Sequence, residues 1–195
     1  MADQAVLDAC VLFRGMLTDF LLCLAEAGSF DPVWSDEIHV EWMRSLHERR
    51  HVSYGQITYR RAEMERAFPA ANVPLSPDII LSILASCEQQ AEREDAHVIA
   101  AALTAGAAIV VTDNVRDMAG VVPRLLSRLR ILTPDHFATE LYRSNRATVI
   151  AGARTHRRSL NYPAYGPESY LALLSGDRVS LPMTSALLVQ HAHEL

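Results

Sequence analysis

The chain has 195 residues, enough for one domain with room for a C-terminal appendage. Half of its residues are hydrophobic and 21% are charged, a composition that excludes an intrinsically disordered protein. The net charge of −5 argues against a protein that coats nucleic acid through its overall charge. No segment has the ~20 uninterrupted apolar residues of a membrane-spanning helix, so we expect no membrane partner.

The cysteines and the first residues favour a cytoplasmic location. Cys10, Cys23 and Cys87 are odd in number and widely spaced among apolar residues, a pattern typical of buried thiols in a reducing compartment. The opening stretch MADQAVLDAC has no basic region and carries an acid within its first apolar run. We therefore expect no signal peptide.

The first half of the chain predicts one strand followed by a series of helices. In chain order we predict a strand ending near Asp8, a helix in LFRGMLTDFLLCLAEA that stops at Gly28, and an extended link in DPVW. A helix capped by Ser35 follows, and then a helix in GQITYRRAEMERAF that is ended by Pro69. The last helix of this half starts at Ser76 and Pro77 and runs through DIILSILASCEQQ.

The second half alternates helices with short apolar strands. We predict a helix from Asp95 to about Ala105, a strand in AAIVVT, a helix in VPRLLSRL, a strand in RILT and a helix in PDHFATELYRSN. This alternation indicates an α/β sandwich with a mostly parallel central sheet. From about Arg146 no strand-like run remains, and the Pro and Gly turns predict a small C-terminal subdomain of two or three short helices.

Several carboxylates fall where function collects in a parallel sheet, at the carboxyl ends of the strands. Asp8 ends the first strand, Asp113 lies just past IVVT, and Asp95 heads the helix that feeds that strand. Glu41 lies beside the apolar stripe of its own helix. Converging carboxylates repel one another unless a cation neutralises them, and oxygen ligands suit Mg²⁺ or Mn²⁺. This composition is typical of a metal-assisted phosphodiesterase.

Four blocks of the sequence resemble the PIN-domain family. VLDACVLF, WSDEIHVEWMRSL, EDAHVIAAALTAGAAIVVTDNVRDM and ILTPDHF occur in the order and approximate spacing of bacterial VapC-type toxin ribonucleases, over residues 4 to 140. The tail with RRSLNYP resembles the extension of one subgroup of these toxins. The resemblance implies a PIN-like α/β/α nuclease domain over residues 1–145 and a helical C-terminal extension over residues 146–195.

The resemblance also implies a set of site residues. Asp8, Glu41 and Asp95 match the first three carboxylates of the family. The family commonly has a fourth acid two positions after the Thr that ends the strand, and here that place, counted from Thr112, holds Asn114. The implied catalytic residues are Asp8, Glu41, Asp95 and Asp117, and the implied metal ligands are Asp8, Glu41, Asp95, Asn114 and Asp113.

Which of Asp113, Asn114 and Asp117 completes the site stays open, because each lies near the fourth position. An Asn can ligate a metal through its carbonyl oxygen but supplies no charge. The sequence therefore leaves open whether one or two metal ions bind.

The function implied by the resemblance is that of an endoribonuclease dependent on Mg²⁺ or Mn²⁺. It would hydrolyse RNA phosphodiester bonds and leave a 5′-phosphate and a 3′-hydroxyl. A role as the toxin of a type II toxin–antitoxin pair further implies a small antitoxin protein that blocks the cleft, and a homodimer. These partners follow from the family alone.

Basic and imidazole side chains near the predicted site have two interpretations each. Arg49, Arg50, Arg60 and Arg61 flank the helices nearest Glu41 and are predicted to bind RNA phosphates, although solvated helix faces account for such pairs as well. His97 follows Asp95 by two residues. A structural imidazole is the default there, and a supporting hydrogen bond to a ligand is the second interpretation.

Three other functions stay open at this point. A catalytically weak or inactive PIN module would bind RNA or a protein partner, because Asn114 replaces a charged ligand. An aspartate-based phosphatase would use VLDACVL as its nucleophile strand, but such enzymes usually have a second Asp where this chain has Cys10. A nuclease acting on DNA flaps, as distant PIN relatives do, is the third.

Overall fold

The computed structural model describes residues 3–118 and 129–195. The helix predicted in VPRLLSRL falls almost entirely on residues 119–128, outside the described residues. In the described ranges no helix is long and apolar enough to cross a membrane.

The elements of the first half confirm most of the predicted order. They are β1 (Gln4–Leu7), α1 (Ala9–Leu12), α2 (Gly15–Glu26), β2 (Asp31–Val33), α3 (Asp36–Arg50), α4 (Tyr54–Ala67), α5 (Pro77–Ser86), α6 (Gln90–Glu94) and α7 (Ala96–Ala105). The elements of the second half are β3 (Ile109–Val111), α8 (Val115–Met118), β4 (Arg130–Leu132), α9 (Pro134–Ser144), α10 (Arg146–Ser159), α11 (Pro167–Ser175), α12 (Pro182–Leu188) and a 3₁₀ helix (Val189–Glu194).

The four strands form one sheet in the order β2-β1-β3-β4. β1 and β3 run parallel, with Leu7 opposite Val111, and β3 pairs parallel with β4. Nearly all residues of β1 and all of β3 are buried, as their continuous apolar, β-branched sequences require. The predicted α/β class with a mostly parallel sheet and a helical C-terminal region is confirmed.

Helix starts follow the capping residues in the sequence. The Ser35 hydroxyl accepts a hydrogen bond from the backbone N–H of Ile38, and α3 begins at the next residue. Ser53 and Gln56 form a reciprocal capping box at the start of α4. α7 ends at Gly106, whose φ of 68° is the left-handed conformation that glycine adopts without a Cβ clash.

Three local predictions are wrong in detail. The helix expected from Leu12 to Gly28 begins only at Gly15, and residues before it form a separate short helix, α1. The DPVW link contains a strand, β2, which pairs at the edge of the sheet where a proline is tolerated. The helix expected to reach Gln90 ends at Ser86, and a separate short helix, α6, follows.

The described chain divides into two compact units. One contains residues 3–13 and 32–132, and with them the whole of β1, β3 and β4. The other contains residues 14–31 and 133–195, so helix α2 belongs with the C-terminal helices. The predicted domain boundary between residues 145 and 146 stays a prediction, since these compact units are divided at other positions.

The unit that holds the C-terminal helices has its own core. Helix α2 packs on helix α10, and Gly152 of α10 approaches the backbone of α2 closely: a Cβ at this position would lie 2.7 Å from the Cys23 carbonyl oxygen. A glycine is therefore required for the close approach of the two helices.

A buried histidine belongs to the same core. Nδ1 of His156 and the Tyr170 hydroxyl are joined by a 2.9 Å hydrogen bond, and the His156 ring packs edge-on against Phe20.

Replacing Gly152 with alanine tests this packing. We expect the free energy of unfolding to fall by about 1–3 kcal/mol, because the added methyl group overlaps backbone atoms of α2 and outweighs the gain in helix propensity. Urea unfolding followed by circular dichroism measures the change.

The matched control is Gly55→Ala in α4, where a Cβ meets nothing within 4 Å. This variant should be neutral or more stable by a few tenths of a kcal/mol, up to about 1 kcal/mol. Equal stability changes in the two variants would contradict the close approach of α10 to α2.

Candidate metal-binding site

The pairing of β1 with β3 brings the first predicted site residue to the carboxyl edge of the sheet. Asp8 follows β1 directly, and its backbone N–H donates a 3.1 Å hydrogen bond to the carbonyl of Val111, the last residue of β3. Its side chain caps α1 by accepting a 2.6 Å hydrogen bond from the N–H of Ala9. The strand-to-helix junction predicted from the sequence therefore holds Asp8 in place.

Two side chains hold the other oxygen of the Asp8 carboxylate. The Thr112 hydroxyl donates to Oδ2 at 2.6 Å, and the Cys10 thiol donates to the same oxygen at 3.0 Å. The Cys10 sulfur in turn accepts a hydrogen bond from the N–H of Asp113 at 3.3 Å. Burial and the negative charge of Asp8 raise the pKa of the Cys10 thiol, so the thiol keeps its proton and acts as a donor.

Asp8 is a buried carboxylate, with 3% of its surface exposed. Burial raises its pKa, the hydrogen bonds from Thr112 and Cys10 lower it, and the charge of Glu41 raises it further, so that the pKa lies above its ordinary value. The folded chain thus holds a carboxylate whose negative charge is not fully compensated by protein groups.

A cleft of about 740 Å³ is lined by three of the other predicted site residues, Glu41, Asp95 and Asn114. The described residues that line it are Asp36, Glu37, Val40, Glu41, Arg44, Ile80, Glu94, Asp95, His97 and Asn114. The residues from Asp36 to Arg44 in this list lie on one face of α3, because positions three and four apart are neighbours on a helix surface. His97 comes from the start of α7, Asp95 from the position just before that helix, and Asn114 from the segment after β3.

Glu41 is paired with His97 across the cleft. Oε2 of Glu41 lies 3.2 Å from Nε2 of His97. The interaction with His97 holds the pKa of Glu41 below its ordinary value, despite partial burial, and the positive charges of Arg44 and Arg49 act in the same direction. Burial lowers the pKa of His97, but Glu41 and Asp8 raise it by more, so it lies above its ordinary value.

Asp95 lies between α6 and α7, at the N-cap position of α7. An aspartate at this position normally caps the helix with its side chain, yet the Asp95 side chain makes no capping hydrogen bond. It lines the cleft instead, as the site hypothesis requires. Glu94, the residue before Asp95, lines the same cleft.

The three candidates for the fourth position differ in where they lie. Asn114 lines the cleft, and its N–H donates a 2.9 Å hydrogen bond to the Thr112 hydroxyl. Asp113 is exposed and is not among the described residues that line the cleft. Asp117 belongs to α8, and its side chain is outside the described part of the structure.

The donor chemistry of the cleft fits a divalent cation. The side chains offer carboxylate and amide oxygens, which Mg²⁺ and Mn²⁺ accept. Nε2 of His97 is buried and has no hydrogen-bond partner among the described residues. No three His, Cys, Asp or Glu side chains within the described ranges already stand together as a set of metal ligands. The site therefore suits a divalent cation by the chemistry of its donor atoms and by their location around one cleft.

The predicted RNA-binding arginines divide into two kinds. Arg60 donates a 2.9 Å hydrogen bond to the Leu12 carbonyl and lies over the ring of Trp42. Arg61 pairs with Asp36 and Glu65. Arg49 and Arg50 are exposed at the end of α3, with Arg50 over the ring of Phe13. RNA binding by these four residues stays a prediction.

Sequence reasoning did not select Arg44, Cys10 or Glu94 as part of the site, and it gave His97 a structural default. Arg44 follows Glu41 by three residues on a helix, a spacing that places both side chains on one face and could have identified it. The bond from Cys10 to Asp8 had no comparable signal, because it depends on the turn after β1.

Comparison with known proteins identifies a domain family in the first part of the chain. The sequence profile of the PIN domain matches residues 4–116, a range that includes Asp8, Glu41, Asp95 and Asn114. Neither the comparison with curated proteins nor that with solved structures found a match.

The opposite pKa shifts of two aspartates give a stability prediction. Because the pKa of folded Asp8 lies above its unfolded value, the folded state disfavours the ionised carboxylate, and stability is lost as the pH rises through this range. We therefore expect Asp8→Asn to raise the free energy of unfolding of the metal-free protein at pH 7, an advantage that disappears below the unfolded pKa. Urea unfolding at pH 7 and pH 3 in the presence of a chelator measures it.

The control is Asp36, an exposed residue whose pKa is lowered by a hydrogen bond from Asn72 and by Arg61. Its ionised form stabilises the fold above the unfolded pKa, so Asp36→Asn should lower the free energy of unfolding at pH 7 by about 0.2–1 kcal/mol. If both variants lost stability, the account of Asp8 as an uncompensated charge would be wrong.

Proposed function

Because the chain belongs to the PIN domain family, whose profile covers more than half of it and whose members are generally nucleases, we propose that it is a Mg²⁺- or Mn²⁺-dependent endoribonuclease. The observation that carries the proposal is the collection of acids at one edge of the sheet. Glu41 and Asp95 line one cleft together with the amide of Asn114. The charge of Glu41 raises the pKa of buried Asp8, and the charge of Asp8 raises the pKa of His97. A cation would compensate this charge.

The roles of the residues follow from their positions. Asp8, Glu41 and Asp95 would hold the ion, with Asn114 offering a neutral carbonyl oxygen. A bound divalent ion supplies a lowered pKa for an attacking water and stabilises the leaving oxygen of a phosphodiester. Thr112 and Cys10 donate hydrogen bonds to one oxygen of the Asp8 carboxylate. These bonds restrict rotation of the carboxylate and so fix its orientation toward the ion.

An acidic cleft must also accept an anionic substrate. Arg44 is the only arginine among the described residues that line the cleft, and its side chain is exposed. Its guanidinium is suited to a phosphate oxygen beside the scissile bond. Arg49 and Arg50 continue the same helix toward its end, and we assign them to neighbouring phosphates of the RNA.

The finer biological role rests on the subgroup that the sequence resembles. We assign the chain to the VapC-type toxins, with a small antitoxin protein that covers the cleft, in a homodimer in the cytoplasm. Residues 146–195 would be the helical extension of that subgroup. This part of the proposal is supported by the four sequence blocks and by the tail motif RRSLNYP.

One observation favours a second function. The position that commonly holds the fourth family acid is Asn114, and its neutral side chain lines the cleft. A site with one charge fewer binds cations more weakly. A PIN module with weak or no catalysis, which binds RNA or a protein partner, is therefore the alternative.

A cleavage assay on total RNA with Mn²⁺ or Mg²⁺ tests the proposal. We expect cleavage by the natural chain and its loss in excess chelator. Asp95→Asn should reduce the rate at least about 10–100-fold, the loss that even supporting residues of metal sites produce when replaced. A parallel assay that compares one RNA oligonucleotide with a DNA oligonucleotide of the same sequence separates a ribonuclease from a nuclease that acts on DNA.

The matched control is Asp78→Asn, which removes an exposed carboxylate from the first turn of α5 and does not line the cleft. Its cleavage rate should equal that of the natural chain. Equal cleavage by the Asp95 and Asp78 variants would refute the metal-site proposal, and RNA binding without any cleavage would support the alternative.

A further inference from the structure

His97 is oriented by a backbone hydrogen bond. Its Nδ1 lies 3.0 Å from the carbonyl oxygen of Glu94. Because a carbonyl oxygen only accepts, Nδ1 must carry the hydrogen of this bond. In the neutral ring the lone pair is then on Nε2, the nitrogen that faces Glu41. A backbone carbonyl that fixes the tautomer in this way is the usual support of a metal-ligating histidine.

Nε2 makes no hydrogen bond of good geometry with the described residues, although a carboxylate oxygen lies close to it. The atom is buried and lies 3.2 Å from Oε2 of Glu41. A carboxylate oxygen and the unprotonated nitrogen of a neutral imidazole both only accept hydrogen bonds. Two acceptors at this separation repel one another unless positive charge lies between them or on the ring.

The neighbours show that the position attracts positive charge. The negative charges of Glu41 and of buried Asp8 both raise the pKa of His97. Asp95, two residues before His97 in the chain, lines the same cleft. Each of these groups is a ligand in the proposed function. Nε2 therefore faces the place where the divalent cation is proposed to bind.

We infer that Nε2 of His97 is a direct ligand of the divalent cation beside Glu41, and that it makes the site prefer Mn²⁺ to Mg²⁺. The inference rests on the proposed function and adds a nitrogen donor to its oxygen ligands. Mg²⁺ is reluctant to give up water and is bound mainly through oxygen, whereas imidazole is a common ligand of transition metals. The alternative is a protonated His97 that forms only an ion pair with Glu41.

Pulsed electron paramagnetic resonance of the Mn²⁺-loaded protein distinguishes the two. The natural chain, prepared without a histidine tag, should show modulation from a coordinated ¹⁴N nucleus. Labelling with ¹⁵N-histidine should change that modulation to the ¹⁵N pattern. This comparison uses the unmodified sequence, so the result does not depend on the folding of any variant.

Variants then assign the nitrogen to one residue. His97→Asn should abolish the nitrogen modulation and weaken Mn²⁺ binding, measured by calorimetry, about 10–100-fold, with a smaller effect on Mg²⁺. His97→Gln provides a second replacement of different length. His193→Asn, which alters a histidine with 79% of its side chain exposed, should leave the spectrum and both affinities unchanged.

The outcomes separate this inference from the function on which it rests. Mn²⁺ bound by the natural chain without nitrogen modulation would overturn the role of His97 and leave the nuclease proposal standing. Failure of the natural chain to bind Mn²⁺ or Mg²⁺ would overturn both. Nitrogen modulation that persists in both His97 variants would assign the ligand to another histidine and would also refute the inference.

Discussion

The hydrogen bond from the Thr112 hydroxyl to the Asp8 carboxylate is the contact on which the site depends. Its partners are separated by 104 positions in the chain and meet only because β1 and β3 pair in parallel register. The same register holds the backbone of Asn114, a residue that lines the cleft, because its N–H donates a hydrogen bond to the Thr112 hydroxyl. Helix α7 returns the chain to β3, and the start of this helix brings Asp95, its N-cap residue, and His97 to the same edge of the sheet. Sheet pairing therefore assembles a site from residues that are distant in sequence.

The electrostatics of this edge explain why a cation suits it. Asp8 is buried and its pKa is raised, whereas the pKa of Glu41 is lowered by its pairing with His97. In the metal-free protein an imidazole that can take up a proton faces one carboxylate, and the other carboxylate stays poorly compensated. Such an arrangement costs stability when no cation is present, which is the usual relation between a functional site and its fold. The contact of His97 with Glu41 also makes the imidazole part of the same site as the acids.

The sequence predicted those parts of the fold that depend on local pattern. The apolar, β-branched runs identified β1 and β3, and Ser35 marked the start of α3, because these signals act within a few residues. The strand β2 was missed because Asp31 and Pro32 are typical of a link, and edge pairing overrode that preference. The contact between Glu41 and His97 joins two helices, and no sequence spacing encodes it. Sequence patterns therefore proposed the acids and gave His97 a supporting role only as a second interpretation, and they gave no indication of the contacts of Thr112 and Cys10 with Asp8.

An anomalous difference map from crystals grown with Mn²⁺ tests the central claim most directly, because it locates the ion without reference to activity. The account predicts a peak at the edge of the sheet, with carboxylate oxygens of Asp8, Glu41 or Asp95 at roughly 2.0–2.6 Å, the range of oxygen ligands around such ions. A peak bound only by other residues, or a cleft without a peak in crystals that hold Mn²⁺ elsewhere, would contradict it.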